Sequence, residues 1–536
     1  MSNFRNVMYY GDFDVHGFYP KDIPADKLTH LNYAFLDFDA DGSLRWMNED
    51  LALNSAVGEP NITEGSASAG LLNAFQELRL NHPNLKIGIS VGGWTKSGDF
   101  APVAANPVTR HKFVSNLIKF VEYNELDFLD IDWEYPGAVR PGDENDPDDE
   151  GTQGTYADYA NYVTLLSELR AGLAELGQRT GKQYELSIAV IAGKWVDGEG
   201  NSGDPYIKQI FDIIDFGNIM TYDMAGSWVP ITMHQTATGI HPEAPDRAQR
   251  SVGTNIDYYL ENGAPPEKLD VGVAFYTRGW GGVQNDGIDP ENLPGLYASN
   301  NGAPKDGKDG IWPYRQLPEL IAQYGTDANG EPNLKTYWDH NALAPYLYSE
   351  KDQVLYTLDD PRSIKAKVDY VKANNLGGII TWMQSQDAEP NAETTVRSAL
   401  TSEIATNLYG AAEFLPTHKV ETQPLRGAWE CAETPDGLVF TLTNTEELNE
   451  TDRVLKSVEA KHKTLKNPLL TITTNSQSDK NFDLNAFGHE EIAPGETVTV
   501  PLGTDFVTDD IMRITLQQRI ANKPYGELTL FQRPAA

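Results

Sequence analysis

The sequence is poor in the residues that build disulfides and metal centres. Its 536 residues include a single cysteine, Cys431, so neither a disulfide within the chain nor a thiolate cluster for a metal is possible. The 10 histidines are scattered singly, and no spacing such as H-E-x-x-H places two of them on one metal ion. We therefore expect neither a metal site nor a cofactor.

Long apolar runs and an excess of positive charge are also missing. No stretch approaches the roughly 20 apolar residues that span a bilayer, and the first residues lack the apolar core of a signal peptide. With 42 Lys and Arg against 78 Asp and Glu, the formal net charge is −36. Such an acidic surface disfavours nucleic acids and anionic membranes as partners, whereas an uncharged polymer is not repelled.

The chain is too long for one compact core, so two or three domains are expected. Up to about residue 409, short apolar segments alternate with amphipathic helices, one of which is predicted to begin at Asn106-Pro107. This alternation predicts a parallel sheet, and its length favours a closed (β/α)8 barrel over a doubly wound sheet. No glycine-rich phosphate loop follows a strand, which disfavours nucleotide binding. Strands are predicted at 31–38, 85–91, 128–133, 186–191, 216–221, 269–275 and 378–382.

Three segments depart from this alternation. Residues 281–356 are rich in Gly, Pro and Asn and too long for a simple connection, so they are predicted to form an inserted subdomain. The acidic segment 142–154 lacks hydrophobic periodicity and EF-hand spacing, which favours a solvated, mobile loop over a calcium site. Residues 410–536 alternate polar and apolar positions between turn signals, which predicts a β-sandwich-like domain of unknown role.

The run from Asp127 to Glu134, DFLDIDWE, is the most informative for chemistry. Side chains alternate along a strand, so Asp130, Asp132 and Glu134 share one face. The run also ends a predicted strand, where barrel enzymes place their catalytic residues. A solvent-facing strand is the purely structural alternative. Asp127 is out of phase with the row, which indicates a structural role.

Neighbouring carboxylates cannot all ionise cheaply, so we expect a proton to be shared along the row. Burial and a nearby negative charge raise the pKa of the outermost group, Glu134, which suits a general acid. Hydrolysis of a glycosidic bond usually needs a second carboxylate across the sugar. Here the other two lie beneath the acid on the same strand, which suits a nucleophile supplied by the substrate, such as an N-acetyl oxygen.

These residues form a D-x-x-D-x-D-x-E signature, and on it the sequence resembles glycoside hydrolase family 18, the chitinase family. Further family motifs follow in order: Ser90-Val-Gly-Gly-Trp94, Met220-Thr-Tyr222-Asp223, Phe275-Tyr-Thr-Arg278-Gly-Trp280 and Gly377-Gly-Ile-Ile-Thr-Trp382. The resemblance covers about residues 5–405. It implies a (β/α)8 TIM barrel over 1–409, with an α+β insertion after the seventh strand. It also implies chitin and chito-oligosaccharides as substrates, and therefore action outside the cell by an unknown export route.

The mechanism that the resemblance implies is retaining and assisted by the substrate's own acetamido group. Glu134 protonates the glycosidic oxygen, Asp132 holds the acetamido N–H, Asp130 shares a proton with Asp132, and Tyr222 donates to the acetamido oxygen. The predicted substrate-binding residues are Asp223, Trp382, Met220, Arg278, Trp94, Tyr135, Tyr9, Phe35, Ser90, Trp228 and Tyr276.

Some of these residues have more specific expected roles. Tyr9 and Ser90 are expected to hydrogen-bond the inner aspartates. Trp382 is expected to form the floor under the acetamido methyl group, with barrel core as the alternative. Four aromatic residues suit sugar stacking, with plain packing as the alternative for each: Trp94, Tyr135, Trp228 and Trp280.

Three other functions stay open at this point. An endo-β-N-acetylglucosaminidase acting on N-glycans shares the signature but generally lacks the insertion at 281–356. A non-catalytic chitin lectin typically loses the glutamate that stands here as Glu134. A weak likeness to chitinases of bacterial insecticidal toxin complexes suggests a subunit of a larger assembly, with the C-terminal domain as its interface.

Overall fold

The structure, a computed structural model, describes residues 4–533 apart from 14, 16, 60, 144, 145, 147, 150, 388–397, 411–425, 450–452, 477, 507, 521 and 522. Eight parallel strands form its centre. Strand 1 pairs with both strand 2 and strand 8, which closes the barrel. Barrel strands 1 to 8 are Arg5–Gly11, His30–Phe38, Lys86–Gly92, Phe128–Asp132, Glu185–Ile191, Phe216–Met220, Leu269–Ala274 and Gly378–Trp382. The predicted barrel is confirmed, and each predicted strand ends within 1 residue of the observed bounds.

The alternation of side chains divides each strand between two cores. In strand 1, Met8 and Tyr10 belong to the large core between the barrel and its helices. Val7 and Tyr9 point the other way, into a smaller cluster inside the barrel that also contains Phe216. The period of two therefore gives the barrel an apolar outside for the helices and an inside in which polar groups are mixed with aromatic rings.

Helices cover the outside of the barrel. The helix predicted at Asn106-Pro107 begins there: the Asn106 Oδ1 accepts a hydrogen bond from the Val108 N–H at 2.9 Å, and Pro107 takes the first helical position. Outside the insertion, the α-helices described up to residue 410 are Glu49–Leu53, Leu71–Asn81, Phe100–Ala105, Pro107–Tyr123, Ala157–Thr180, Asp204–Ile213, Val252–Glu261, Pro361–Ala373 and Ala399–Tyr409. None of the helices in the described part of the chain has the length and hydropathy of a membrane span.

An antiparallel sheet of four strands leaves the barrel after strand 7. Its strands, in spatial order, are Arg278–Gly281, Val354–Thr357, Ala344–Ser349 and Lys335–Asp339, and the helix Leu317–Gln323 belongs to the same segment. Just beyond the sheet, the Lys367 Nζ and the Asp359 Oδ2 form a fully buried ion pair at 2.6 Å. Asp359 also accepts the Ala274 N–H at 3.1 Å, which ties the end of the insertion to strand 7.

The C-terminal part consists of two main sheets that share one core. One sheet contains Gly427–Thr434, Gly437–Asn444 and Thr497–Gly503, and the other contains Asp479–Asp483, Leu469–Thr474, Ile511–Ile520 and Lys523–Gln532. Side chains from both sheets, such as Phe440 and Ile514, meet in a single hydrophobic cluster. A short pair, Leu465–Lys466 with Glu491–Ile492, completes the strands described here.

One helix of the C-terminal part was not predicted and packs on the barrel domain. Arg453–Lys463 buries Val454, Leu455 and Val458 in the core that surrounds the barrel. Nearby, the Lys466 Nζ donates to the Asn73 Oδ1 at 2.6 Å. The two parts are therefore joined by apolar burial and by a buried polar contact.

The acidic segment is more ordered than the expected solvated loop. Val139–Arg140 pairs antiparallel with Thr152–Gln153, which makes the base of a hairpin. The Asp149 side chain is only 1% exposed and accepts a hydrogen bond from the Arg140 Nη1 at 2.6 Å. The prediction of a solvated segment is therefore wrong at Asp149, because Arg140 neutralises this carboxylate and allows its burial, whereas the mobility of the segment stays a prediction.

Candidate active site

Barrel strand 4 aligns the three predicted carboxylates. Asp130 and Asp132 lie within the strand and Glu134 follows its end, with exposed fractions of 0%, 3% and 9%. The row thus rises from the closed interior of the barrel toward the carboxyl ends of the strands, where barrel enzymes bind their substrates.

Asp130 is held by donors from four other barrel strands. Its Oδ2 accepts from the Tyr9 hydroxyl at 2.8 Å and the Ser90 Oγ at 2.7 Å. Its Oδ1 accepts from the Ser187 Oγ at 2.6 Å and the Asn218 Nδ2 at 3.3 Å. Burial raises the pKa of this carboxyl, and the hydrogen bonds counteract part of the increase. Asp130 is therefore fixed in position and shielded from any ligand.

Asp132, the middle carboxyl, differs in having an oxygen without a partner. Its Oδ1 is buried and makes no hydrogen bond within the described residues. Burial raises the pKa of Asp132 well above its ordinary value, and the charges of Glu134 and Asp130 raise it further. The free oxygen of such a carboxyl, whether the group is protonated or shares a proton with a neighbour, can accept a hydrogen bond from an N–H of a ligand.

Glu134 has the titration behaviour of a general acid. Burial raises its pKa to about 7; the charge of Asp223 adds to this, while Tyr135 and Arg140 act in the opposite direction. Its backbone N–H donates to the Ser97 Oγ at 2.8 Å, which anchors the residue just beyond the strand. A carboxyl with a pKa near 7 keeps a transferable proton in neutral solution.

Tyr222 and Asp223 follow barrel strand 6 and face this row. Tyr222 is 7% exposed, and burial followed by the charge of Asp132 raises its pKa well above the ordinary value, so its hydroxyl stays protonated. Asp223 has a φ of 53°, a left-handed conformation that is uncommon outside glycine. Its Oδ1 accepts from the Arg278 Nε at 2.7 Å, and the Arg278 cation lies 5.5 Å from the Tyr276 ring centre.

An aromatic floor lies at the ends of strands 1, 2 and 8. The Trp382 ring centre is 5.6 Å from that of Tyr9 and 5.8 Å from that of Phe35. Met220 also packs against this cluster inside the barrel. Phe13, which the sequence did not predict, stacks on both Phe35 and Trp382 at 6.3 and 6.1 Å and is 53% exposed. Trp382 is only partly buried, so one part of its ring is open to a ligand.

The four aromatic residues expected to stack on sugars have different surroundings. Trp94 and Trp228 are 49% and 57% exposed, and each lies beside an arginine, at 4.0 Å from Arg140 and 5.1 Å from Arg278 respectively. Tyr135 is partly buried. Trp280 is 0% exposed in a hydrophobic cluster with residues of the insertion, so plain packing, the alternative to sugar stacking, holds for this ring: the chain enters the antiparallel sheet there and buries it.

Three peptide bonds at this end of the barrel are cis without involving proline. They are Ala34–Phe35, Glu134–Tyr135 and Trp382–Met383. They lie within strand 2, and just past the ends of strands 4 and 8, next to the floor and the acid described above.

Five contributors to the site were missed from the sequence. Ser187 and Asn218 are polar residues inside otherwise apolar strands, a pattern that indicates an interior partner and was available beforehand. Phe13, Ser97 and Arg140 lie outside the barrel strands and gave no comparable pattern. Within the described residues, no group of three or more His, Cys, Asp or Glu side chains is arranged to hold a metal ion.

A closed barrel with a buried acid at the end of strand 4, two carboxyls beneath it and an aromatic floor defines the site of a barrel glycosidase. The family model "Glycosyl hydrolases family 18" matches residues 5–387. The chain belongs to this family.

Relatives of known name agree with this assignment. Chitinase A1 of Niallia circulans is 30% identical over 442 residues, which cover 74% of this chain but only 58% of that protein. A group IV chitinase of Ostrinia furnacalis, solved with allosamidin, is 27% identical with a TM-score of 0.59, covering 76% of this chain and 98% of its own. Chitinase ChiA74 of Bacillus thuringiensis, 24% identical, matches in fold over 99% of this chain and 84% of its own, with a TM-score of 0.64.

Proposed function

We propose that this chain hydrolyses β-1,4-linked polymers of N-acetylglucosamine, as a chitinase, with retention of configuration and with the substrate's acetamido group as nucleophile. The observation that supports this is the arrangement of the carboxyls. Asp132 and Asp130 lie beneath Glu134 on the same strand, and Asp130 is fully buried. A protein nucleophile would have to stand across the sugar from the acid, and two carboxyls beneath the acid on its own strand suit a nucleophile that the substrate supplies.

In the first step, Glu134 gives its proton to the glycosidic oxygen as the bond to the anomeric carbon breaks. The acetamido carbonyl oxygen bonds to that carbon and forms an oxazolinium ion. The free Oδ1 of Asp132 accepts the acetamido N–H, which orients the internal nucleophile, and the protonated Tyr222 hydroxyl donates to the acetamido oxygen. In the second step, Glu134, now a carboxylate, takes a proton from water, whose oxygen attacks the anomeric carbon and reopens the ring.

The remaining predicted residues receive binding roles. Trp382, on its base of Tyr9 and Phe35, carries the sugar that contains the anomeric carbon. Asp223, held by Arg278, contacts the sugar beside the scissile bond. Met220 and Tyr276 line the wall, Ser90 supports Asp130, and Tyr135 flanks the acid. Trp94 and Trp228 offer exposed indole faces to further sugar units.

The test is the hydrolysis of chitin hexasaccharide, followed by NMR of the fresh products and mass spectrometry of the protein during turnover. We expect chito-oligosaccharides with the β-anomer formed first, and no sugar attached to the protein. A thiazoline analogue of the oxazolinium ion should inhibit, because it matches the intermediate in shape and charge. An initial α-anomer, or a glycosyl ester on Asp130 or Asp132, would overturn the mechanism.

An N-glycan substrate is the second candidate, and the same experiment separates it from chitin. The four-stranded insertion after strand 7 favours a long chitin-like substrate, because it extends the wall that carries Arg278. Release of N-glycans with an intact hexasaccharide would reverse this preference. The presence of Glu134 disfavours a lectin without activity.

Two further expectations stay predictions. Extracellular action follows from the substrate, because an insoluble polymer does not enter cells. Membership of a larger toxin assembly draws no support from the relatives named above, and co-purification of a large partner would test it.

A further inference from the structure

Hydrogen bonds from residues before and after Trp94 join this part of the chain to the end of barrel strand 4. The preceding Gly93 N–H donates to the Asp132 carbonyl oxygen at 2.8 Å, and the following Ser97 Oγ accepts the Glu134 N–H at 2.8 Å. Between these two anchors the indole is 49% exposed. The backbone at Trp94 is therefore anchored beside the end of strand 4, which carries the acid.

Arg140 contacts Trp94 in two ways. Its guanidinium carbon lies 4.0 Å from the centre of the indole ring, within the range of a cation–π contact. Its Nη2 also donates to the Trp94 carbonyl oxygen, so that one side chain restrains both the ring and the backbone of the same residue. Arg140 is itself fixed, because its Nη1 donates to the buried Asp149 at 2.6 Å.

The hairpin that carries Arg140 and Asp149 is closely fitted to this region. Gly151 has a φ of 73°, and a Cβ there would lie 2.5 Å from the Arg140 carbonyl oxygen. A Cβ on Gly98, four residues after Trp94, would lie 2.9 Å from the Gly151 carbonyl oxygen. The acidic segment therefore places a buried, paired carboxylate, that of Asp149, beside Arg140, which gives this segment a role beyond solubility.

We propose that Arg140 is a positioning residue: held by Asp149, it fixes the exposed indole of Trp94 in the orientation in which it stacks on a sugar unit. This inference rests on the proposed function and goes beyond it, because it gives Arg140 a positioning role at Trp94 in addition to the effect of its charge, which lowers the pKa of Glu134. It also explains why a cation stands beside an exposed tryptophan in so acidic a protein.

The first test is a double-mutant cycle with chitin hexasaccharide as substrate. Arg140→Gln should lower kcat/KM by about 5- to 30-fold, the range to which a partly shielded cation–π contact converts, mainly through KM. The rates are measured well below pH 7, where Glu134 keeps its proton with or without the Arg140 charge. In a Trp94→Ala background the same change should then cost little, because the platform is already gone. Arg140→Lys should recover part of the loss, since it keeps the cation but not the fork.

The second test needs no substrate. In protein labelled with 5-fluorotryptophan, the Trp94 resonance is assigned by its loss in Trp94→Ala, and Arg140→Gln should shift or broaden that line. The matched control is Arg362→Gln. The guanidinium carbon of Arg362 lies 3.8 Å from the ring centre of Trp338, and Trp338 belongs to the strand of the insertion that is farthest in the sheet from the strand of Arg278. This substitution should shift the Trp338 resonance and leave both the Trp94 resonance and kcat/KM unchanged.

Three results would overturn the inference: equal losses from Arg140→Gln in both backgrounds, no loss at all, or an unmoved Trp94 resonance. If Arg140→Gln does not fold, Asp149→Asn loosens the same arginine and is measured in its place. A wild-type protein that leaves the hexasaccharide intact would instead contradict the proposed function, and the fluorine spectra would still decide whether Arg140 positions the ring.

Discussion

The pKa values of the buried carboxyls are shifted in opposite directions at the two ends of barrel strand 4. At the amino end, Asp127 accepts from the Arg79 Nη1 at 2.9 Å, the Lys182 Nζ at 2.6 Å and the Ile87 N–H at 2.8 Å. Burial raises the pKa of Asp127, but these partners more than offset it and the pKa falls below its ordinary value. At the carboxyl end, Asp132 and Glu134 have raised pKa values.

The difference lies in the partners, since both ends are largely buried. Two cations neutralise Asp127, so its charge contributes to the stability of the barrel, as the out-of-phase position in the signature predicts. At the other end, like charges face one another, and the free energy of unfolding is reduced in return for a proton that the site can give away. Barrel strand 4 thus has a structural carboxylate, Asp127, at one end and the proposed proton donor, Glu134, at the other.

The largest expected effect is at the catalytic end. Glu134→Gln should lower kcat by at least about 10²-fold while oligosaccharide binding is retained, because the amide keeps the shape but has no transferable proton. Steady-state kinetics and calorimetric binding of chitin hexasaccharide measure the two parts. Turnover near the wild-type rate would remove Glu134 from the role of acid.

The matching change at the amino end should affect stability instead. Asp127→Asn leaves Arg79 and Lys182 without their anionic partner, which should reduce the free energy of unfolding by about 3 kcal/mol. Urea unfolding measures this, and kcat at a temperature where the variant is folded should stay unchanged. A fall in kcat without a loss of stability would contradict the structural role given to Asp127.

The loss of activity as the pH rises should follow the titration of Glu134. Glu134 must hold its proton to act, and its pKa is raised to about 7, so kcat/KM should be high below this pH and fall as the pH rises through it. Asp223→Asn removes a negative charge that raises this pKa, so the fall should move to lower pH, by about one unit or less. The measurement is a pH–rate profile, with Asp127→Asn as the control that leaves the profile in place.

The smallest expected effect is that of a chelator. Hydroxyl, amide and guanidinium donors hold Asp130 and Asp223, and no group of three or more potential metal ligands was found among the described residues. EDTA should therefore leave the rate of hydrolysis unchanged. If EDTA abolished activity and one particular divalent ion restored it, the acidic segment 142–154 would have to be reconsidered as a metal site.

The sequence predicted the barrel and the carboxylate row because both depend on local periodicity. It did not predict the helix Arg453–Lys463, whose apolar side chains find their partners only in the folded barrel domain. Nor did it predict the contact of Arg140 with Trp94, since the residues are 46 positions apart and meet through a loop. The choice between stacking and packing for Trp280 stayed open for a related reason: a family motif gives the order of residues but not the direction in which an inserted strand turns.

Asp130 has a consequence for engineering. At the centre of this barrel, hydrogen bonds join the Asp130 carboxylate to four other strands. Many barrels fill this space with branched aliphatic side chains instead. Replacing Asp130 and its donors with a well-packed apolar layer should raise the thermal stability. The same change should also inactivate the acid Glu134, which lies above Asp130 on the strand. Substitutions intended to stabilise the protein should therefore be made in the outer helices and the exposed loops, where they raise the stability without changing the catalytic residues.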